Sequence, residues 1–143
     1  MFVARLARRA LKGIGYAFRT ADPMKDQPSA SVLVVEDDAL LRFNTSEFLR
    51  DCGFEVLEAS SADEAVFVLS SDPDIDVVFS DIRMPGTMDG FDLAAWVETN
   101  CPSIPIILTS GYAGNDTSKH AHPLLPKPYS LVRVQNEITK ALS

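Results

Sequence analysis

No stretch of this 143-residue chain approaches the roughly 18 consecutive apolar residues that a membrane-crossing helix requires. A helical membrane span is therefore not expected. Cysteine is scarce: Cys52 and Cys101 form no metal-ligand or redox spacing, and the simplest reading is two reduced, buried thiols in a cytosolic protein. Basic residues are short as well, 13 against 20 acidic, for a net charge of −7. The shortage is uneven. Residues 1–23 hold five basic residues and one acidic, for +4, whereas residues 24–143 hold eight basic and nineteen acidic, for −11. A body that acidic is a poor partner for nucleic acid, which is gripped through basic contacts to phosphate.

What is present is ample for one domain: 46% of the residues are hydrophobic. In the first segment Val3, Leu6, Ala7, Ala10, Leu11 and Ile14 recur at helical spacing, with Arg5, Arg8, Arg9 and Lys12 mostly off that stripe. Such a basic amphipathic helix could lie on an anionic membrane or dock on a partner. Gly13 and Gly15 weaken the pattern, so a frayed extension is favoured, with Met24 a plausible alternative start. A secretory signal is not expected, because the basic residues are spread among the apolar ones instead of preceding them. Residues 1–30 are thus read as a basic extension and linker, and 31–143 as the folded domain.

From Ser31 onward strands and helices alternate. Val32–Val35 is a short buried strand ending in Glu36-Asp37-Asp38. Leu41, Thr45, Phe48, Leu49 and Cys52 then mark one helical face, which Gly53 is placed to stop. Phe54–Leu57 reads as a second strand, and Ser61 with Glu64 as a capping box opening a helix to about Leu69. A third strand spans Asp74–Ser80, a helix Phe91–Thr99, a fourth strand Ile104–Leu108, a fifth Leu124–Leu125, and a closing helix Leu131–Leu142. Five alternations imply a parallel sheet with helices on both faces and right-handed crossovers. Only sixteen residues separate Ser110 from Lys127, so a helix there must be short, between Ala113 and His120, in a mobile region.

In open sheets of this kind the ligand crevice lies beyond the carboxyl ends of the strands. Four strand ends bring chemistry there: Glu36-Asp37, Asp81, Thr109-Ser110 and Lys127. Taken alone, Asp81 could simply cap the turn before Pro85-Gly86. Together the carboxylates would repel one another unless a cation sits among them. Magnesium suits hard oxygen ligands, Lys127 offers a point charge to a phosphoryl oxygen, and a hydroxyl supplies a donor. These parts fit phosphoryl transfer to a carboxylate nucleophile, with Asp81 attacking in line.

The string Val-Leu-Val-Val-Glu-Asp-Asp, then Asp81 with Met84-Pro85 and Asp89-Gly90, then Thr109-Ser110-Gly111, then Lys127-Pro128-Tyr129 resembles the receiver domain of bacterial two-component response regulators. The resemblance covers about Ser31–Ser143. It implies a doubly wound five-stranded parallel sheet of flavodoxin-like order 2-1-3-4-5. It also implies that Asp81 is the phosphoacceptor, charged by the phosphohistidine of a histidine kinase or phosphotransfer protein. Asp37 would be the main Mg2+ ligand, Glu36 and Asp81 further ligands, and the main-chain carbonyl of Arg83 would complete the set. Lys127 would bind the phosphoryl group through a cis Lys127-Pro128 junction, and Ser110 would be the switch hydroxyl, with Thr109 the alternative. Asp38 is read as the cap of the first helix.

Three departures from the family pattern stand out. The loop Pro85–Gly90 is one residue longer than common, and Leu124 occupies the aromatic switch position, so the usual hydroxyl-to-aromatic coupling is expected to be either absent or rebuilt, with Tyr112 the candidate for rebuilding it. Arg83 and Tyr112 border the path of hydrolytic water, and neither is a good water positioner, so self-dephosphorylation is expected to be slow. The chain leaves no room for an output domain, which points to a stand-alone cytoplasmic regulator that is not an enzyme. A downstream protein would read it at the fourth helix, fifth strand and closing helix, around Tyr112–Ala121 and Leu131–Leu142. A phosphate shuttle or sink would use the same residues. Two further alternatives are an aspartate-nucleophile phosphatase of the haloacid dehalogenase type and a degenerate, unphosphorylated interaction module. The first lacks a second acid two residues after its nucleophile, where Arg83 or Ala39 stands. The second has no need of Glu36, Asp37, Asp81, Ser110 and Lys127 together.

Overall fold

The computed structural model describes residues 29–71, 74–111 and 122–143. Over them the order is β1 (Ser31–Val35), α1 (Ala39–Asp51), β2 (Glu55–Ala59), α2 (Ala62–Ser70), β3 (Val77–Asp81), α3 (Gly90–Asn100), β4 (Ile106–Ser110), β5 (Leu124–Pro126) and α4 (Leu131–Leu142). All strand pairs are parallel and the sheet order is β2-β1-β3-β4-β5, the doubly wound arrangement expected. The expected extension over residues 1–28 and the expected helix between Ala113 and His120 lie outside the described residues. Among the described residues no helix is long and apolar enough to cross a membrane.

Strands β1, β3 and β4 are buried on both faces and read as nearly continuous hydrophobic runs, whereas the edge strand β2 carries Glu55 and Glu58. Leu33, Val35, Val78, Ile106 and Leu108 point to one side, where they meet Ala62, Ala65, Leu69, Leu93 and Val97 of α2 and α3. Val32, Val34, Val77, Phe79 and Ile107 point to the other, against Leu49 of α1 and Val134 and Ile138 of α4. The period-2 alternation of a strand sends neighbouring residues into separate cores.

Caps set the helix ends. Asp38 Oδ1 accepts from the Leu40 and Leu41 N–H groups, as expected of an N-cap. Gly53 (φ 100°) donates to Arg50 O and Phe54 to Leu49 O, the paired bonds of a Schellman closure. That closure claims Phe54, so β2 starts at Glu55 instead. The fourth strand is displaced too: Ile104 closes a turn onto Cys101 O, Pro105 has no N–H, and pairing with β3 begins at Ile106. The capping box at Ser61 is only half made. Ser61 Oγ accepts from Glu64 N, but the Glu64 carboxylate reaches Ser60 N (3.1 Å) and Ser60 Oγ (2.6 Å), one residue before the cap. Cys52 and Cys101 form no disulfide, and both are half-buried instead of buried, each at the C-cap of a helix.

Candidate functional site

β1 lies second in the sheet, with the edge strand β2 on one side and β3 on the other, so the chain reverses its winding direction between β1 and β3. The carboxyl ends of those two strands therefore flank the crevice where doubly wound sheets place ligands. Glu36 and Asp37 follow β1 directly, and Asp81 is the last residue of β3. Their carboxylates each offer an oxygen within 4.8 Å of the others. Glu36 (4% exposed) and Asp81 (6%) are buried, and Asp37 is exposed at the mouth.

Lys127 arrives from the turn after β5. Its Nζ lies 3.1 Å from Glu36 Oε2 and 3.2 Å from Asp81 Oδ2, bridging the two buried acids. Its N–H donates to Ser110 O at 2.8 Å, which fixes the lysine to the end of β4, and the Lys127-Pro128 bond is cis. Glu36 also accepts from the Asp38 N–H at 3.2 Å. Burial raises the Glu36 carboxyl above its usual range, the Asp81 charge raises it further, and the Lys127 bond only partly offsets both. Burial works against the Lys127 ammonium, but its bonds and charge pairing with Glu36 and Asp81 outweigh it, and the pKa is raised.

The two candidate hydroxyls are separated by one step of β4. Thr109 pairs opposite Asp81 in the sheet, fully buried, and its Oγ1 has no hydrogen-bond partner among the described residues. Ser110 lies one residue further toward the rim, opposite Pro126. Arg83 lines an open groove of about 530 Å3 together with Asp37, Met84, Pro85 and Asp89. Tyr112 lies outside the described residues. Tyr129 packs edge-on against Phe79, with ring centroids 5.7 Å apart, beneath the pocket.

Asp89-Gly90 belongs to the family string, but that string alone gives neither residue a role. Asp89 and Asp92 form a full capping box at the start of α3, for which an Asp-x-x-Asp spacing is the readable signal. Gly90 N donates to Ile82 O at 2.7 Å, and a Cβ at Gly90 would overlap the Asp81 carbonyl oxygen and come within 2.6 Å of Ile82 Cα. The first turn of α3 is thus seated on the main chain of Asp81 itself, where only glycine fits. The intervening loop turns at Gly86 (φ 114°) and is tied down by Thr87 Oγ1 donating to Asp63 Oδ1 at 2.8 Å.

The residues present fit a hard divalent cation. Three carboxylates crowd one pocket with a single ammonium among them, and hard oxygen donors grouped in this way suit such an ion.

A family model described as the response regulator receiver domain matches residues 32–139. The sensor kinase CckA of Brucella abortus (strain 2308) is 33% identical over 120 residues, which is 80% of this chain and 13% of that protein. The chain therefore spans only a small part of the curated relative's length. Among solved structures, a response regulator receiver protein from Sinorhizobium medicae WSM419 aligns with a TM-score of 0.74 at 28% identity, covering 80% of this chain and 94% of that one. The response regulator TrrA from Thermotoga maritima, solved in complex with Mg2+-BeF, aligns with a TM-score of 0.71 at 28% identity, covering 79% and 99%. A five-stranded parallel sheet of order 2-1-3-4-5, an acid cluster at its switch point and a family match over most of the chain lead to one assignment: the chain belongs to the response regulator receiver domain family.

Proposed function

We propose that Asp81 is a phosphoacceptor of a two-component phosphorelay, taking a phosphoryl group from a phosphohistidine and switching the binding of a downstream protein. The observation that carries this reading is the bridge of Lys127 Nζ to both Glu36 and Asp81, 3.1 and 3.2 Å. It holds an amine beside the nucleophile, where a transferring phosphoryl group needs positive charge. In the transfer, an Asp81 carboxylate oxygen forms the new P–O bond while the donor P–N bond breaks and the imidazole nitrogen keeps the electron pair. The product is an acyl phosphate on Asp81.

Glu36, Asp37, Asp81 and the main-chain carbonyl of Arg83 would hold Mg2+, as the acid cluster supports and as a magnesium complex of the structural relative TrrA makes reasonable. When bound, the ion neutralises charge on the phosphoryl oxygens. Lys127 releases Asp81 to grip the phosphoryl group, and Ser110, at the rim beside Lys127, supplies the switch hydroxyl. The chain contributes acceptor and electrostatics and turns over no independent substrate, so it is not an enzyme in the usual sense. A cytoplasmic site of action and a protein reader on β5 and α4 complete the reading.

The test is incubation with acetyl phosphate and Mg2+ followed by intact mass. One added phosphoryl group is expected, lost on adding chelator and in Asp81→Ala. Equal labelling of Asp81→Ala would refute the assignment.

A further inference from the structure

Glu36 and Asp37 share one peptide group, which carries the Glu36 carbonyl at one end and the Asp37 N–H at the other. That carbonyl accepts a 2.7 Å hydrogen bond from Arg42 Nη1, reaching back from the first turn of α1. The far side of the guanidinium is held by Glu58 of β2, with Arg42 Nε 3.5 Å from Oε1. Glu58 in turn accepts from Arg50 Nη2 at 3.1 Å, and Arg50 Nη2 also donates to Val56 O at 3.2 Å. The guanidinium is thereby fixed from both ends, and a charge-assisted bond of this length is a firm tie to the carbonyl.

The two acids do not depend on that tie equally. The Glu36 carboxylate has anchors of its own in the Asp38 N–H and Lys127 Nζ. The Asp37 carboxylate is exposed and makes no hydrogen bond or ion pair among the described residues. Its direction follows from the backbone alone, and the Glu36–Asp37 peptide is where Arg42 grips that backbone. We propose that Arg42 is a positioning residue for the divalent-cation site: by fixing this peptide plane it aims Asp37 into the pocket. The inference rests on the magnesium reading above. Groups that orient metal ligands from outside the coordination sphere commonly contribute tenfold or more to affinity.

The test is Mg2+ titration of the full chain by calorimetry and thermal shift, with no phosphodonor present. Arg42→Met keeps the apolar stem and removes the donor, and its Mg2+ dissociation constant should rise about tenfold. Arg42→Lys, which can still reach the carbonyl, should recover part of that loss; a merely structural lesion would not be rescued in affinity. A folded Arg42→Met that binds Mg2+ within about twofold of wild type overturns the proposal. If Arg42→Met does not fold, Glu58→Gln decides: it frees the far side of the guanidinium and should weaken binding about threefold, and an unchanged constant overturns the proposal. A wild-type chain that takes up no Mg2+ overturns the site reading itself. Wild type that binds, beside an Arg42→Met that binds equally well, overturns only the role of Arg42.

Discussion

Replacing Gly90 with alanine probes how closely Asp81, the proposed phosphoacceptor, is held. The new methyl would overlap the Asp81 carbonyl oxygen and lie 2.6 Å from Ile82 Cα, and both neighbours are backbone that cannot rotate away. The same carbonyl takes a 2.9 Å bond from Ser80 Oγ, so the peptide has no free direction of retreat. Overpacking of this kind costs about 1–3 kcal/mol, and a clash with main chain belongs at the upper end. The entropy that alanine removes from the unfolded chain returns roughly 0.5–1 kcal/mol, leaving a net loss of about 2 kcal/mol. For a domain of this size that lowers Tm by roughly 6–12 °C. Two other glycines calibrate the result. Gly111→Ala meets nothing nearer than Lys127 Cδ at 4.0 Å and should melt close to wild type. Gly53→Ala has open space but a φ of 100°, so it should lose roughly 1–2 kcal/mol while phosphate uptake per folded molecule is unchanged. The assay is thermal denaturation of the three variants, with uptake from acetyl phosphate normalised to folded protein. A Gly90→Ala that melts within about 2 °C of wild type, or a Gly53→Ala that impairs uptake as strongly as Gly90→Ala, would refute the reasoning.

Because the folded-state pKa of Glu36 is raised, its protonated form favours the fold, and that contribution is lost as pH rises through the folded pKa. Metal-free protein should therefore lose stability across that range and regain it with Mg2+; Tm measured against pH in chelator and in Mg2+ reads both arms, and coincident curves would contradict the charge-crowding account. Glu36→Gln removes one of the crowded carboxylates, so it should raise the metal-free Tm by a few degrees, about 1 kcal/mol, while weakening the response to Mg2+. The raised pKa of Lys127 predicts the same sign at the alkaline end: its contribution is intact below the ordinary lysine pKa and lost as pH rises through the folded value, a loss that Lys127→Met should abolish in alkaline melts. Arg83→Asn with Tyr112→Glu should speed decay of the proposed acyl phosphate several-fold, by introducing water-orienting side chains at the two positions that the sequence leads one to expect along the water path; an unchanged decay rate would show that these positions do not limit hydrolysis.

The parts of this fold that could be read from sequence are those where one residue type answers one physical demand. Runs such as Val32–Val35 and Ile106–Leu108 are apolar without alternation because both faces of the sheet are covered. Asp38, Ser61 and Gly53 announce helix ends through side-chain or backbone chemistry that works locally. The boundaries that moved are those decided by competition. Phe54 has the composition of a strand residue, but its N–H is taken by the helix closure. Glu64 had two possible targets, and Ser60 offered two donors where Ser61 offered one. In the pocket, carboxylates and lysine were legible as residue types that cost free energy unless used. Gly90 and Arg42 were not, because what they do depends on contacts with the main chain of Asp81 and Glu36 that no local pattern encodes.

The charge asymmetry noted in the sequence has a direct consequence at the pocket. Residues 24–143 carry −11, so the field around the domain draws in cations and repels anions, including any anionic phosphodonor. At the switch point this field meets three carboxylates served by one ammonium, grouped closely enough to hold a divalent ion. A free anionic donor must approach against that field, whereas a donor histidine carried on a protein can offset it with basic residues of its own around the Asp37–Asp89 groove. Net acidity would in this way favour delivery by a protein over capture from solution. It follows that labelling by a small acyl phosphate should quicken as ionic strength rises at fixed, saturating Mg2+, while labelling by a basic protein donor should slow.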